Sequence, residues 1–231
     1  MDESLLKLLR SVDTPTVCNA IETVQGRRGF DAFTRGNVLS SAPGASVIVG
    51  YACTARIAGR QPSSDPADIV RERRLGYYRH VAEGPRPAIA VVEDIDYPDA
   101  VGAFWGEVNT TVHKSLGVSG ALTNGVMRDL GDLAEGFTVL AGSIGPSHGF
   151  VHVVDYAKGA RVFDLDIVDG DLVHADRHGA LVIPPAVIDD LAEAIQTLFR
   201  AELCILEPAR KGPMTFEEFE AAWAAFENAR T

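Results

Sequence analysis

One stretch constrains the fold of this chain more than any other: a short apolar run that ends at a turn and is followed by two adjacent opposite charges. Residues 120–132 read Gly-Ala-Leu-Thr-Asn-Gly-Val-Met-Arg-Asp-Leu-Gly-Asp. The run Gly120–Thr123 predicts a buried strand. Asn124-Gly125 predicts a turn, because this dipeptide tolerates positive φ. Leu130–Ala134 then predicts a short helix, so the stretch favours a strand-turn-helix connection.

The charged pair Arg128-Asp129 lies at this predicted junction between strand and helix. In open α/β sheets, ligands bind where strands hand over to helices, so the pair is a candidate for a binding site. The alternative is an ordinary surface ion pair, which contributes little. The stretch alone favours that alternative, and the rest of the chain changes the balance.

The composition limits the classes of protein to consider. The chain has 231 residues, of which 46% are hydrophobic, enough for one large domain or two small ones with a substantial core. A net charge of -11 argues against nucleic-acid binding, and the Arg-rich piece Arg71–Arg74 is interpreted as a solvated helix face. Three scattered cysteines, an acidic N-terminus and no long apolar run predict a cytoplasmic protein without a membrane partner.

The order of predicted elements defines the fold class. Two N-terminal helices are followed by strands that alternate with helices, a β-rich block, and two C-terminal helices. This order predicts an α/β fold, and no G-x-G-x-x-G motif follows a strand, so it is not a Rossmann repeat. Residues 101–106 and 142–149 are predicted as loops, and Lys158-Gly159 as a hairpin turn. The predicted strands outside the central stretch are Ala45–Ile57, Pro87–Ile95, Thr138–Ala141, Phe150–Tyr156, Arg161–Ile167, Leu172–Ala175 and Ala180–Ile183.

A second candidate site lies at Gly106-Glu107, which opens a predicted helix over 107–116. Free N–H groups at a helix start favour an anion such as a substrate carboxylate, although a first-turn Glu is also ordinary helix chemistry. Glu107 and Asp129 can jointly hold a divalent cation, since Mg²⁺ accepts one or two carboxylates with retained waters. Arg128 beside them can bind a carboxylate or a developing enolate.

Two further polar groupings are weaker candidates. His174, Asp176 and His178 alternate and would share one strand face, as a transition-metal site requires. His178-Gly179 resembles a turn tip, so a polar hairpin with Asp176 capping its own turn is the preferred interpretation. Ser147-His148 lacks a nucleophile-elbow motif, which excludes a typical hydrolase triad.

Three motifs resemble one known family. They are Gly117-Val-Ser-Gly-Ala-Leu-Thr-Asn-Gly-Val-Met-Arg-Asp, Asp169-Gly-Asp-Leu-Val-His-Ala-Asp-Arg-His-Gly-Ala-Leu-Val-Ile-Pro, and Thr14-Pro-Thr-Val-Cys-Asn-Ala. They are similar to motifs of the regulator of ribonuclease activity A family, over roughly residues 5 to 206. That family includes 4-hydroxy-4-methyl-2-oxoglutarate aldolases that also decarboxylate oxaloacetate.

The resemblance implies a fold, an assembly and a cofactor. The fold is an αββα layered sandwich with helices at both termini, here a single domain over 1–231 in which 207–231 is a C-terminal helical extension. The assembly is a homotrimer or a homohexamer with an active site between neighbouring subunits. The cofactor is a divalent metal, Mg²⁺ with Mn²⁺ as the alternative, and no Schiff-base lysine is used.

The resemblance also assigns roles to residues. Arg128 matches the arginine that binds the keto acid and stabilises the enolate, and Asp129 matches the metal-binding aspartate. Glu107 matches an acidic residue that holds a metal-bound water, a position that is usually Asp in the family. Gly106, Glu107 and Val108 match the segment whose amides bind the pyruvate carboxylate.

A glutamate from the adjacent subunit completes the implied metal shell. Glu202 is the best match for this residue, through a water, and Glu207 is the alternative. Together these assignments predict a metal-dependent lyase, an aldolase or decarboxylase, acting on a small 2-keto acid to give pyruvate. Two alternatives stay open: a non-catalytic ribonuclease-binding regulator of the same fold, and a metal-dependent enzyme on a different hydroxy or keto acid.

Overall fold

A mixed β-sheet forms the centre of the protein in a computed structural model, which describes residues 1–42, 44 and 46–230. The helices are α1 Glu3–Ser11, α2 Thr14–Gln25, α3 Ala67–Glu83, α4 Glu107–Ser115, α5 Leu191–Arg210 and α6 Phe216–Arg230. The strands are β1 Leu39–Ser40, β2 Ile48–Ala58, β3 Ala88–Asp94, β4 Ala103–Trp105, β5 Val118–Thr123, β6 Val126–Met127, β7 Thr138–Ala141, β8 Ser143–Ile144, β9 His152–Tyr156, β10 Ala160–Val162, β11 Leu165–Ile167, β12 Leu172–Asp176 and β13 Gly179–Val182.

The main sheet has the strand order β1-β7-β5-β3-β2-β12-β13. Its middle strands β7, β5, β3 and β2 are parallel to each other, and the outer strands are antiparallel to their neighbours. The long strand β2 pairs with β12 along its first half and with β9 along its second half. Strands β4, β6 and β8 form a separate parallel sheet of three short strands, and β10 and β11 form a hairpin.

Both faces of the main sheet are buried, and the alternation along β3 shows why. Ala88, Ala90 and Val92 belong to a core shared with α3 and the small parallel sheet, whereas Ile89 and Val91 belong to a core shared with the β10–β11 hairpin. A third core packs α1, α2 and α5 on β12 and β13. Because side chains alternate along a strand, one apolar run supplies two layers.

These layers confirm the predicted α/β class with helices at both termini. An aspartate caps each of the first two helices: Asp2 Oδ1 accepts the Leu5 amide at 2.8 Å, and Asp13 Oδ1 accepts the Thr16 amide at 3.0 Å. Thr215 caps α6. The division into one domain with an extension over 207–231 stays a prediction, and Thr231 lies outside the described residues.

Most predicted strands are confirmed with small shifts of their ends, and the predicted first long strand begins at Ile48. Its predicted first residue, Ala45, lies outside the described residues. Two loop predictions were wrong. The supposed loop over 101–106 contains β4, whose Phe104 and Trp105 are buried, and the loop over 142–149 contains β8.

The predicted hairpin turn at Lys158-Gly159 was also wrong. The turn lies at Phe163 and Asp164, which have left-handed φ of 48° and 65° and split the predicted strand Arg161–Ile167 into β10 and β11. Neither residue is Gly or Asn, so the usual turn signal is missing.

The predicted helix at Leu130–Ala134 is absent, and the segment forms a turn. The Asp129 backbone has a left-handed φ of 53°, and the Asp132 amide donates to the Asp129 carbonyl at 2.9 Å. This geometry turns the chain back at once and leaves no room for a helix. The helix start beside Arg128-Asp129 is instead that of α4.

Among the described residues, no helix is both long enough and apolar enough to cross a bilayer.

Candidate functional site

A cavity of about 560 Å³ lies between α3, the junction of β4 and α4, and the segment before β9. Three residues predicted to bind substrate line it: Gly106, Val108 and Arg128. Glu107 and Asp129 stand beside these three residues, and the Glu107 amide donates to Asp129 Oδ2 at 3.2 Å. The structure thus brings the two stretches predicted from the sequence into direct contact.

Parallel pairing of β4 with β6 produces this meeting. Both strands end at the same edge, so the residues that follow them, Gly106 and Arg128, become neighbours. The Arg128 amide donates to the carbonyl of Trp105 at 2.8 Å and fixes the register. Arg128 Nε then lies 3.5 Å from Asp129 Oδ2, which leaves the other guanidinium N–H groups available.

Gly106 permits this close approach. A Cβ at this position would lie 2.5 Å from Asp129 Oδ2 and 3.2 Å from Arg128 Cγ. The φ of Gly106 is -157°, an extended conformation open to any residue, so backbone strain does not explain the glycine. The contact with the Arg128-Asp129 pair does.

Thr110 fastens the first turn of α4. This buried side chain donates to the Gly106 carbonyl at 2.9 Å and accepts the Ala134 amide at 3.1 Å. It therefore connects the helix start to the loop that follows Asp129. The first turn of α4 is thus held through Thr110 on one side and through the Glu107 amide, which donates to Asp129 Oδ2, on the other.

His113 ties α4 to α3 as a neutral group. Its Nδ1 lies 2.7 Å from the Asn109 carbonyl, so this nitrogen carries the hydrogen, and Nε2 accepts from the Tyr77 hydroxyl at 2.8 Å. Burial lowers the pKa of His113 to about 4, and burial also raises the pKa of Tyr77 well above its usual range. Both groups are therefore uncharged at neutral pH and position the helices.

Asp94 is a second buried titratable group, at the carboxyl end of β3. Its amide donates to Asn124 Oδ1 at 2.7 Å, which joins β3 to the Asn124-Gly125 turn. Among the described residues, its Oδ2 has no hydrogen-bond partner. Burial raises the pKa of Asp94 to about 6.

The structure adds cavity residues that the sequence interpretation missed. Val70, Arg74 and Tyr78 form a stripe on α3 at spacings of four residues, and all three line the cavity. The apolar spacing over Ala67–Ala82 predicts a helix with Ile69, Leu75 and Tyr78 facing inward. Tyr78 is partly buried, but Ile69 and Leu75 are 39% and 48% exposed, and Tyr77 and Val81 are buried instead. Arg71, Glu72 and Arg74 are exposed, as predicted for a solvated Arg cluster, and Arg74 in addition lines the cavity. The four-residue spacing was the available signal.

The opposite wall comes from the end of the predicted loop over 142–149 and from the start of the predicted strand Phe150–Tyr156. His148, Phe150 and His152 line the cavity there. The segment is held by backbone bonds, since Ser147 accepts the Ala103 amide at 2.9 Å and the Phe150 amide donates to Gly59 at 2.9 Å.

Glu202 lies elsewhere in the chain. It lines a separate groove with α2 and α6, against residues that include Asn19, Glu22 and Arg28. Its alternative, Glu207, is exposed on the same helix. Neither lines the cavity of its own chain, so a contribution to this site requires the neighbouring subunit.

The hairpin histidines are structural in this chain. His174 is fully buried, with Nδ1 3.0 Å from Thr14 Oγ1 and Nε2 2.9 Å from the Leu9 carbonyl. Asp176 accepts the amides of Thr14 and His178. The hairpin interpretation is therefore favoured over the metal interpretation, and across the described residues no three His, Cys, Asp or Glu side chains cluster as metal ligands.

Comparison with known proteins extends these observations. A family model described as RraA-like, Aldolase/RraA, matches residues 14–182. No curated protein matches the chain significantly. Among solved structures, an uncharacterized protein from Pseudomonas syringae pv. tomato str. DC3000 is similar at a TM-score of 0.70 and 19% identity, over 100% of this chain and 94% of the other.

Streptomyces coelicolor RraAS2, described as an unusual member of the RNase ES inhibitor RraA protein family, is similar at a TM-score of 0.65 and 20% identity. The match covers 91% of this chain and 97% of that one. At such identities the structures support the fold, and the family model covers most of the chain. The chain therefore belongs to the RraA-like family, Aldolase/RraA.

Proposed function

We propose that this protein is a divalent-metal-dependent lyase that cleaves a C–C bond of a 2-keto acid and releases pyruvate. The candidate reactions are retro-aldol cleavage of 4-hydroxy-4-methyl-2-oxoglutarate and decarboxylation of oxaloacetate. The observation that carries the proposal is the contact between the start of α4 and the Arg128-Asp129 pair at one cavity, made possible by Gly106.

Two positively polarised groups at that contact, the first amides of α4 and the Arg128 guanidinium, bind the anionic substrate. The amides at the start of α4, around Gly106 and Val108, bind the keto-acid carboxylate, because a helix N-terminus favours an anion. Arg128 donates to the keto oxygen and stabilises the charge that develops there as the enolate forms.

The donor set fits Mg²⁺ or Mn²⁺. Asp129 Oδ1 accepts no hydrogen bond within the described part of the chain, so this oxygen is available to a cation, and Glu107 adds a second carboxylate through a water. Mg²⁺ accepts one or two carboxylates with waters and substrate oxygens, whereas zinc sites require more nitrogen or sulfur ligands. When bound, the metal would polarise the keto group as a Lewis acid.

Proton transfer falls to Glu107 and its water. In the retro-aldol direction the C4 hydroxyl loses its proton through a water to the Glu107 carboxylate, the C3–C4 bond breaks, and its electron pair forms the enolate that Arg128 stabilises. The proton then returns to C3, which gives two molecules of pyruvate. In decarboxylation the bond to the distal carboxylate breaks and CO2 leaves. The electron pair of that bond forms the enolate, and water supplies the proton to C3. Glu107 is exposed at the helix start and can orient this water.

The proposed enzyme is an oligomer whose active site takes a residue from an adjacent subunit. Glu202 lies in a groove away from the cavity, so it completes the site only as a residue of an adjacent subunit in a trimer or hexamer. Native mass spectrometry of the purified protein would establish the assembly, and a stable monomer would contradict this part.

The test is pyruvate release from both substrates, coupled to lactate dehydrogenase, with Mg²⁺ and with a chelator. Reactions without protein correct for spontaneous decarboxylation. We expect metal-dependent turnover and a fall in kcat/KM of about 10²–10³-fold for Arg128→Lys. Arg71→Lys, at an exposed position on α3, is the matched control. Absence of metal-dependent turnover, with Arg128→Ala equal to wild type, would refute the lyase proposal.

Two alternatives are outcomes of the same experiments. An inactive protein that co-purifies with ribonuclease E would identify a ribonuclease-binding regulator of this fold. Metal-dependent turnover of other hydroxy or keto acids in a panel, without activity on the two named substrates, would identify a different leaving group. Glu107 has one methylene more than the Asp that is usual at this position, so its carboxylate reaches further. This difference favours the second outcome over the first.

A further inference from the structure

The cavity is cationic although the chain as a whole carries a net charge of -11. Among the described residues that line it are two arginines, Arg74 and Arg128, and two histidines, His148 and His152, but no Asp or Glu. The carboxylates of Glu107 and Asp129 stand beside the α4 end of the cavity. This polarity favours an anionic ligand that extends from the α4 end toward α3.

Arg74 is placed to meet such a ligand. It lies one turn from Val70 and one turn from Tyr78 on the stripe of α3 that faces the cavity. Its Nη2 donates to the Val151 carbonyl at 3.2 Å, which fixes the guanidinium beside the opposite wall and leaves the other N–H groups free to donate. Burial raises the pKa of Tyr78, and the nearby positive charge of Arg74 partly opposes this rise.

The charge of Arg74 is uncompensated, unlike that of its neighbours. Arg73 pairs with Asp65 at 2.9 Å, and Arg56 pairs with Asp155. Within the described residues, Arg74 has no acidic partner within 4.0 Å. A guanidinium fixed at a cavity wall without a carboxylate suits a carboxylate from a ligand, which it can bind through two parallel N–H groups.

We infer that Arg74 binds a second carboxylate of the substrate, so that the enzyme selects dicarboxylic 2-keto acids over monocarboxylic ones. The inference rests on the proposed lyase function, in which α4 and Arg128 hold the keto-acid end. A cavity of about 560 Å³ accommodates a longer acid than pyruvate, and the distal carboxylate then lies toward α3. Arg74 acts as a specificity-determining residue and takes no part in bond cleavage.

The kinetic test compares two aldol substrates that differ only at the distal group. These are 4-hydroxy-4-methyl-2-oxoglutarate and 4-hydroxy-4-methyl-2-oxopentanoate, in which a methyl group replaces the distal carboxylate. The readout is the ratio of their kcat/KM values for wild type, Arg74→Met and Arg74→Lys. We expect the ratio to fall by about 10–100-fold in Arg74→Met and less in Arg74→Lys, which keeps the charge but loses the bidentate geometry.

Arg71→Met is the matched control, because it removes one positive charge from an exposed position of the same helix. Its ratio should stay within twofold of wild type. An equal fall in both Met variants would show a general charge effect and overturn the inference. So would an unchanged ratio in Arg74→Met.

A binding measurement separates this inference from the lyase proposal. Calorimetric titration with 2-oxoglutarate and with 2-oxopentanoate, both with Mg²⁺, needs no turnover. Wild type should bind 2-oxoglutarate at least tenfold more tightly, and Arg74→Met should lose this preference. If the preference depends on Arg74 but neither aldol substrate reacts, the inference stands and the lyase proposal fails. If wild type shows no preference, the inference fails whatever the activity.

Discussion

Replacing Gly106 by alanine tests the candidate site with a single methyl group. The added Cβ would lie 2.5 Å from Asp129 Oδ2, whereas ordinary contact begins near 3.4 Å, so the two atoms must separate by about 0.9 Å. The same methyl would lie 3.2 Å from Arg128 Cγ and 3.3 Å from Nε. The substitution therefore displaces both members of the pair or shifts the start of α4.

The expected effect follows from that displacement. A misplacement of about 1 Å in a catalytic arrangement costs about 100-fold in rate, or about 2.7 kcal/mol. Stability should change far less. The φ of Gly106 is open to any residue, and alanine is poorer than glycine at the N-cap by at most about 1 kcal/mol. Gly106→Ala should thus stay folded and lose kcat/KM about 100-fold.

Gly131 provides the matched control. It lies two residues after Asp129, its φ is not left-handed, and a Cβ there meets no atom within 4 Å. Gly131→Ala should keep kcat/KM within about twofold of wild type. The assay is metal-dependent pyruvate release, with thermal unfolding to establish that both variants are folded. A folded Gly106→Ala enzyme with wild-type kcat/KM would show that the Gly106 contact does not position the reacting groups.

Three further predictions concern buried charge, a buried hydrogen bond and the metal shell. Because the folded-state pKa of Asp94 is raised to about 6, the folded state holds this proton more tightly, and stability from this group falls as the pH rises from about 4 through 6. The unfolding free energy of Asp94→Asn relative to wild type should therefore rise by about 2–3 kcal/mol between pH 4 and 7, measured with urea. Tyr77→Phe leaves His113 Nε2 buried without a donor and should cost about 1–3 kcal/mol in urea unfolding at pH 7. Glu202→Gln should raise the Mg²⁺ concentration for half-maximal turnover by about 10–100-fold, whereas Glu207→Gln should change it less than threefold.

Each of these has a clear contrary result. A pH-independent difference between Asp94→Asn and wild type would mean that Asp94 titrates normally. An unfolding free energy of Tyr77→Phe equal to that of wild type would mean that His113 finds another donor. A larger metal effect for Glu207→Gln than for Glu202→Gln would exchange their roles in the adjacent subunit.

The strands of the main sheet could be predicted from the sequence because their burial produces long apolar runs. β3 and β5 are buried on both faces, so each appears as a continuous apolar stretch between turn residues. The helix start at Glu107 was also predictable, since a glycine and a first-turn acid precede a helical pattern. The local sequence determines these elements, and tertiary contacts do not change them.

The errors arose where tertiary contacts override local preference. β4 has only three residues, and it is a strand because β6 pairs with it and because Phe104 and Trp105 pack into the core. Phe163 and Asp164 adopt left-handed φ without glycine, since the hairpin β10–β11 packs Phe163 against the sheet. No periodicity within the segment shows either feature.

The residues of the candidate site also differ in whether local sequence or tertiary contacts determine their position. Motifs placed Arg128, Asp129 and Glu107 at a turn and a helix start, and the structure brings these two positions into contact, while their roles stay predictions. Arg74 was predicted to be solvated, because four charged residues in a row resemble a solvated face, and it is exposed, but its position at the cavity was missed. Which side of a helix faces a cavity depends on the element packed against it, and here that element is the distant segment before β9.

The choice between a surface ion pair and a site turns on Gly106. A surface pair of Arg128 and Asp129 would need no glycine beside it, because exposed side chains can move aside from a methyl group at little cost. Gly106 has an extended backbone that alanine adopts equally well, so conformation does not require glycine there. The remaining reason is the 2.5 Å approach of Asp129 Oδ2, together with the amide of Glu107 that this oxygen accepts. A carboxylate held this closely against a helix start stands beside the cavity that Arg128 lines, which is the arrangement that the proposed metal and keto acid require.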